Sequence, residues 1–173
     1  MHACDDARMP TFQLKHEIEC TPERFYKLFT DKEFNEALYK ALEFPEWKLI
    51  DVKDTDKEIV RTVKATPKME APAVVVKALG SSFGYTEESK FDKATNLQSF
   101  VIKPSTMADK LKNEGKVRIE PVGSDKCMRI VDITVEAKVF GIGGMIESSL
   151  EKSLRSGWEK SAGFTNKWVK EHP

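Results

Sequence analysis

Residues 127–144 read CMRIVDITVEAKVFGIGG, and this stretch decides which kind of fold the chain can adopt. Between Val131 and Val139 the odd positions are apolar, whereas the even positions from Asp132 to Lys138 are polar or charged. This alternation predicts a long strand over residues 127–140 that buries one face and exposes the other. The glycines that follow predict a hinge into a helix that runs to about residue 171 and is roughly 40 Å long.

Upstream, residues 11–20 form a second alternating segment and predict the first strand. Thr21 and Pro22 suit the N-cap and first position of a helix, and Asp31 can cap a second short helix that Pro45 ends. Further strands are predicted between turn-forming residues, at 47–53, 58–65, 85–91, 97–103 and 116–121. A strand, two short helices, about six strands and a long helix together predict an α+β domain with an antiparallel sheet.

The composition narrows the class of protein. The chain of 173 residues suits a single domain, which we expect to span 11–173 after a disordered lead at 1–10. It carries 28 basic and 28 acidic residues, and this balance argues against a nucleic-acid partner. The chain has no apolar run of bilayer length and its first ten residues lack a secretory leader, so we expect a cytoplasmic monomer with reduced cysteines.

The motifs of common enzyme classes are missing. The segment from Gly141 to Gly144 lacks the third glycine and the later acidic residue of a dinucleotide fingerprint, so it predicts a hinge. The sequence has no phosphate-binding loop, no HExxH and no GxSxG. Among the three histidines, His16 is the candidate within a structured element, and Cys20 lies too far along the same strand to pair with it. We therefore expect no metal, no cofactor and no nucleophilic catalysis.

Assigning the strand faces places four polar side chains on the inner side of the sheet: His16, Arg61, Glu87 and Arg129. An unpaired charge in an apolar interior is very costly, so we expect Arg61 and Glu87, on consecutive strands, to form an ion pair. Such a pair inside an apolar cavity would orient an amphipathic ligand. The alternative is that these side chains lie near strand ends and only satisfy one another.

Two further patterns bear on function. Small residues recur along the long helix. If they lie on its sheet-facing side, they would leave room for a ligand; if they lie on its outer side, they would indicate nothing about a ligand. They are Ser149, Ser153, Gly157, Ser161 and Gly163. A basic cluster indicates a solvated face or, alternatively, contact with an anionic membrane surface. Its residues are Lys110, Lys112, Lys116 and Arg118.

Three stretches carry a resemblance to a known superfamily. They are residues 20–25 (CTPERF), the strand residues Arg61, Thr62 and Val63 with Pro67 and the helix at 74–79, and residues 140–147 (FGIGGMIE). On the basis of these stretches, the chain resembles the START-like (SRPBCC) superfamily, which includes birch-pollen-allergen-type proteins. Within that superfamily it most resembles a branch without an assigned function. The resemblance implies a helix-grip fold, in which the long helix lies over the concave face of a curved sheet of about six to seven strands.

The resemblance also implies a cavity between sheet and helix for a lipid or sterol, with loops at one end acting as a gate. Our predicted ligand-binding residues are His16, Arg61, Tyr85, Glu87, Arg129, Ile133 and Trp158. Among them, Arg61 with Glu87 is the best match to the charged pair that meets the polar head of the ligand in lipid-transfer members of the superfamily. The gate would lie in residues 71–80 and 105–111 and include Val75, Leu79 and Met107.

Three functions remain open. The one we favour is non-catalytic binding and transfer of a hydrophobic ligand, with transient membrane contact through the valine-rich helix at 72–79. The second is an enzyme of the cyclase or aromatase kind, for which His16, Glu87 and Tyr85 are the acid–base candidates. The third is a protein-interaction module that uses the outer surface. A smooth apolar cavity leaves little trace in a sequence, so the ligand itself is not indicated.

Overall fold

The computed structural model describes residues 11–173, and the lead predicted for residues 1–10 lies outside this range. Within this range, seven strands form one curved antiparallel sheet: β1 (Thr11–Ile18), β2 (Glu46–Asp54), β3 (Glu58–Thr66), β4 (Tyr85–Asp92), β5 (Leu97–Pro104), β6 (Leu111–Val122) and β7 (Lys126–Ala137). Their order across the sheet is β1-β7-β6-β5-β4-β3-β2. The α+β class and the antiparallel sheet are therefore confirmed.

Four helices accompany the sheet: α1 (Pro22–Thr30), α2 (Lys32–Ala41), α3 (Ala73–Leu79) and α4 (Gly143–Glu171). The two short helices begin at the predicted caps. The Thr21 hydroxyl accepts a hydrogen bond from the Arg24 amide at 3.4 Å, and a carboxylate oxygen of Asp31 accepts one from the Phe34 amide at 2.8 Å. These side chains satisfy amide groups that have no partner within their own helices.

The long helix α4 packs on β1 and β7, and its C-terminal half also packs on α2. Val131 and Ile133 on β7 are fully enclosed beneath it. The main core therefore occupies one end of the sheet, together with the apolar faces of α1 and α2. Among residues 11–173, none of the helices is long and apolar enough to cross a bilayer.

Two strand boundaries differ from the predictions by three residues or more. Strand β6 begins at Leu111, five residues before the predicted start at Lys116, because Leu111 pairs with Ala137 on β7. The residues that follow Leu111 do not alternate between apolar and polar types, so the sequence pattern did not predict this part of the strand. Strand β7 ends at Ala137 and not at Phe140. Beyond it the chain turns, with Gly141 at a φ of 79°, a conformation that glycine adopts without strain.

Candidate functional site

A cavity of about 390 Å³ lies between α2, the strands β3 to β6, and the middle of α4. This volume falls within the usual range for small-molecule sites. The cavity forms because α4 packs on β1 and β7 and does not pack closely on the adjoining strands. Its apolar lining comprises Leu38, Leu42, Phe44, Pro67, Phe83, Phe100, Ile102, Pro104, Leu111, Leu150, Leu154 and Trp158.

Small residues on α4 give the cavity part of its room. Ser153, Gly157 and Ser161 line it, and this places them on the side of the helix that the ligand hypothesis required. A Cβ atom built at Gly157 would meet no atom within 4 Å. A larger side chain there would project into free space, so the volume depends on the residue types of this helix as well as on its path.

Phe100 forms part of the wall because a glycine lies opposite it on the next strand. Phe100 on β5 pairs with Gly115 on β6, and a Cβ atom at Gly115 would lie 2.5 Å from the Phe100 ring. The ring occupies the space that a side chain would otherwise take. It lies 6.3 Å from the Trp158 ring, centroid to centroid, so the two aromatic side chains form one continuous apolar surface.

The predicted Arg61–Glu87 pair is present at the cavity, with 3.3 Å between a guanidinium nitrogen and a carboxylate oxygen. Register explains the contact: Arg61 pairs with Ser89 and Glu87 pairs with Val63, so the two side chains are diagonal neighbours on one face. The Arg61 side chain is 7% exposed and that of Glu87 is 14% exposed. Both line the cavity, so its apolar wall contains one enclosed pair of opposite charges.

The Arg61 guanidinium has three further partners, which come from α1 and α2. It donates to the Phe29 carbonyl at 2.9 Å and to the Asn35 side-chain oxygen at 3.3 Å, and it lies 4.2 Å from the centre of the Phe29 ring. Asn35 is held in turn by donating to the backbone oxygens of Leu28 and Asp31. Sequence reasoning missed Asn35, although a buried amide beside Phe34 on the apolar face of a helix is itself a signal.

One donor of Arg61 is left over. Its Nε is buried and has no hydrogen-bond partner among the described residues. A buried donor without a partner is destabilising unless water or a ligand satisfies it. The side chain is thus fixed in position by Glu87, Phe29 and Asn35, and its Nε, like that of Arg129, is enclosed by protein atoms.

Two tyrosines line the cavity next to the ion pair. Burial, reinforced by the Glu87 carboxylate, raises the pKa of Tyr39 to about 12. Burial, reinforced by Tyr39 and Glu87, raises the pKa of Tyr85 well above its ordinary value. Both phenols therefore stay protonated at neutral pH and can donate hydrogen bonds. Tyr39 is held by stacking on Trp47, with ring centroids 4.8 Å apart.

His16 and Arg129 form a second polar cluster, which lies outside the cavity under α4. Arg129 donates to the Trp158 carbonyl at 2.8 Å and to the Ser161 hydroxyl at 3.1 Å, and one of its nitrogens lies 3.3 Å from His16 Nδ1. Because arginine only donates, His16 Nδ1 accepts this hydrogen bond and the ring hydrogen lies on Nε2. Nε2 is 3.2 Å from a Glu159 carboxylate oxygen. These contacts attach α4 to β1 and β7.

Electrostatics fit this structural arrangement. Burial, with a smaller contribution from the Arg129 charge, lowers the pKa of His16 below its ordinary value, so the ring is neutral at neutral pH. Burial also lowers the pKa of Arg129, to about 10, so the guanidinium remains charged. Neither side chain lines the cavity, and the structure does not bring them together with Arg61 and Glu87.

The remaining predicted site residues lie in different places. Trp158 and Tyr85 line the cavity, whereas Ile133 lies in the main core. Val75 and Leu79 are buried in a second apolar cluster, and the partly buried Met107 packs against it. None of these three gate residues lines the cavity. Phe83 and Leu111 belong to the same cluster and do line the cavity, so the predicted gate segments support its wall.

Charged side chains surround the opening. The Lys68 nitrogen lies 2.9 Å from a Glu43 oxygen and 3.5 Å from a Glu70 oxygen, and the three side chains are between 49% and 74% exposed. Lys152 and Lys160 are exposed on the facing side of α4. The cavity is therefore apolar and enclosed on the inside and charged at its rim. Within residues 11–173 there is no group of three or more His, Cys, Asp or Glu side chains that could hold a metal.

The curved seven-stranded sheet, the two short helices and the long C-terminal helix form a helix-grip fold. The solved structures that share this fold include the following three. An aromatase/cyclase from a Streptomyces species has a TM-score of 0.65 and 9% identity over 94% of this chain and 96% of that one. Norcoclaurine synthase from Thalictrum flavum has a TM-score of 0.63 and 14% identity over 95% and 88%. A START superfamily protein from Mycobacterium smegmatis has a TM-score of 0.57 and 17% identity over 94% and 99%.

The chain belongs to the DUF2505 family of proteins of unknown function, whose model matches residues 13–169. Comparison with curated proteins finds no match. At the identities above, the likeness to solved structures establishes the fold alone, so function has to be inferred from the cavity.

Proposed function

We propose that this protein binds an amphipathic hydrophobic molecule of the lipid or sterol class between its sheet and α4, without converting it chemically. The main support for this proposal is that apolar side chains facing the cavity are incompletely buried. Leu150, Leu154, Trp158 and Ile102 pack against the core on one side and remain partly exposed toward the cavity on the other. A ligand in the cavity would remove this apolar surface from water, at about 25 cal/mol per Å².

The polar part of the ligand would meet the Arg61–Glu87 pair. This site offers the protonated phenols of Tyr39 and Tyr85 as donors and the Glu87 carboxylate as an acceptor. A hydroxyl or carbonyl group fits this mixture of donors and acceptors. Because the pair lies within apolar walls, it would fix the orientation of the ligand, and shape would select its body.

An enzyme is the second candidate, and one observation favours it. Glu87, Tyr39 and Tyr85 converge on one apolar cavity, and two similar structures are enzymes, an aromatase/cyclase and a norcoclaurine synthase in complex with dopamine and hydroxybenzaldehyde. However, Glu87 is held by Arg61, and the raised tyrosine pKa values make the phenols weak acids. His16, the remaining acid–base candidate, does not line the cavity. Binding without chemistry is the simpler function for this arrangement.

The test is to extract the purified protein with organic solvent and to identify the released molecules by lipid mass spectrometry, alongside native mass spectrometry of the intact protein. We expect one hydrophobic molecule per chain, or one-to-one uptake of a lipid from a panel of fatty acids, phospholipids and sterols. Released product after incubation with a phenolic or polyketide substrate would support the enzyme instead. An empty protein that rejects the whole panel would refute the proposal.

A further inference from the structure

A fully exposed phenylalanine stands at the turn between β7 and α4. Phe140 has a relative exposure of 105%, yet it does not belong to a loose segment. The Ile142 and Gly143 amides both donate to the Val139 carbonyl, at 3.4 and 2.8 Å, and Gly141 adopts a φ of 79°. Phe140 is thus the second residue of a hydrogen-bonded turn that projects its ring into solvent.

Two further exposed apolar side chains lie at the same end of the molecule. Val74 on α3 and Met145 in the first turn of α4 are each 44% exposed. Their chain neighbours Val75 and Ile146 are buried in the second apolar cluster, and Val139 and Ile142, which flank the turn, pack against that cluster. Val74, Phe140 and Met145, called the apolar tip below, therefore lie on the outer side of one packed unit.

Exposed lysines lie in the segments that carry or adjoin the apolar tip. Lys77 on α3 and Lys110 before β6 are exposed, and the Lys138 side chain is 71% exposed. The segments are joined, because the Lys138 amide donates to the Lys110 carbonyl at 2.8 Å. The nearby acids are engaged or less exposed: Glu147 accepts from the Ala137 amide, and Glu136, 22% exposed, lies 3.6 Å from Lys138. Asp109 is the remaining exposed acid in these segments.

We propose that the apolar tip inserts into the surface of an anionic bilayer while these lysines contact the lipid headgroups. Three apolar side chains offer far less than the roughly 800 Å² per partner of a stable protein interface. A bilayer needs no matching surface, and a few apolar side chains combined with basic residues are sufficient for reversible membrane binding. An aromatic ring presented on a fixed turn also loses little conformational freedom on insertion.

The position of the apolar tip relative to the cavity strengthens this inference. The second apolar cluster bears the tip on its outer side, and two of its members, Phe83 and Leu111, form the cavity wall on its inner side. Leu150 on α4 packs against both clusters and lines the cavity as well. A bilayer contact at the tip would therefore be separated from the cavity by one layer of side chains, a short path for a lipid.

The test is flotation of the purified protein with vesicles of phosphatidylcholine, with and without about 30% phosphatidylserine. Wild-type protein should float with the anionic vesicles and detach when the salt concentration is raised. Phe140→Ser should weaken this binding about tenfold, and Lys138→Glu by a similar factor. Phe140→Trp should retain it, because tryptophan suits the bilayer interface.

Val101→Ser is the matched control, since Val101 is 43% exposed on β5, two strands away from the strand β7 that leads into the apolar tip. It should bind vesicles like the wild type, and circular dichroism should show every variant folded. Absence of wild-type binding, equal binding to neutral vesicles, full binding by Phe140→Ser, or an equal loss in Val101→Ser would each overturn the proposal. The assay does not require an occupied cavity, so its result is independent of the lipid panel.

Discussion

Replacing Gly157 with leucine should make the protein more stable and a poorer binder at the same time. Gly157 lies within α4, lines the cavity, and has no atom within 4 Å of a built Cβ. A leucine there would extend into the cavity and occupy the space assigned to the ligand. Opposite effects on stability and binding are expected when a residue serves a cavity and not the packing of the fold.

The stability gain has two parts. Glycine inside a helix is about 1 kcal/mol less favourable than a good helix former. Partial burial of the leucine against the cavity wall adds roughly 1 kcal/mol more, about half of the value for full burial. For a domain of this size, about 2 kcal/mol corresponds to a rise in Tm of roughly 4–8 °C.

The affinity should change in the opposite direction. Forcing additional carbon atoms into an occupied apolar space costs about 1–3 kcal/mol. The dissociation constant for a hydrophobic ligand should therefore rise by roughly 5- to 150-fold.

Gly163→Leu is the control for this prediction. Gly163 lies on the same helix, is exposed, and also has no atom within 4 Å of a built Cβ, but it does not line the cavity. It should raise Tm by roughly 2–4 °C from helix propensity alone and leave ligand binding unchanged. Urea unfolding and titration with a lipid give both quantities for the two variants. If Gly157→Leu binds ligand as tightly as Gly163→Leu does, the cavity is not the binding site.

Three other predictions follow from contacts described above. Removing one partner of the Arg61–Glu87 pair should lower the free energy of unfolding by about 3 kcal/mol. The double variant Arg61→Met with Glu87→Gln should lose clearly less than the two single variants added together, and additive free energies of urea unfolding would mean that the pair is not coupled. The folded-state pKa of His16 lies below its ordinary 6.5, so the stability that His16 contributes is complete above pH 6.5 and is lost as the pH falls through the folded-state value. The variant His16→Gln should therefore flatten the dependence of Tm on pH between about pH 7 and pH 5, and an unchanged profile would argue against this assignment. Gly115→Ala should destabilise the fold by about 1–3 kcal/mol in thermal unfolding, because its Cβ would lie 2.5 Å from the Asp132 carbonyl oxygen; a neutral effect would show that β6 can shift there.

Much of the fold could be predicted because its signals are local. The alternation in β7, the caps at Thr21 and Asp31, and the glycine hinge before α4 each depend on a few neighbouring residues. The Arg61–Glu87 contact followed from strand faces and strand order. The early start of β6 at Leu111 did not follow, because pairing with β5 and β7 determines it and not the residue pattern of the segment.

The site was harder to predict for a related reason. The strand period tells which face of the sheet a side chain occupies, but the path of the covering helix decides what meets it there. Arg129 points inward as expected, yet α4 covers it with its own Ser161 hydroxyl and Trp158 carbonyl. Arg61, on the same face, lies where α4 does not reach, and it therefore lines the cavity.

The most direct test of the central claim is a lipid titration that reads Trp158 alone. Trp158 lines the cavity, whereas Trp47 stacks on Tyr39 and Trp168 packs against Phe34. A delipidated variant with Trp47→Phe and Trp168→Phe, shown to be folded, would be titrated with fatty acids, lysophospholipids and sterols. The account predicts a saturable one-to-one blue shift of the Trp158 emission with at least one of these ligands. An emission spectrum that none of them changes would contradict it.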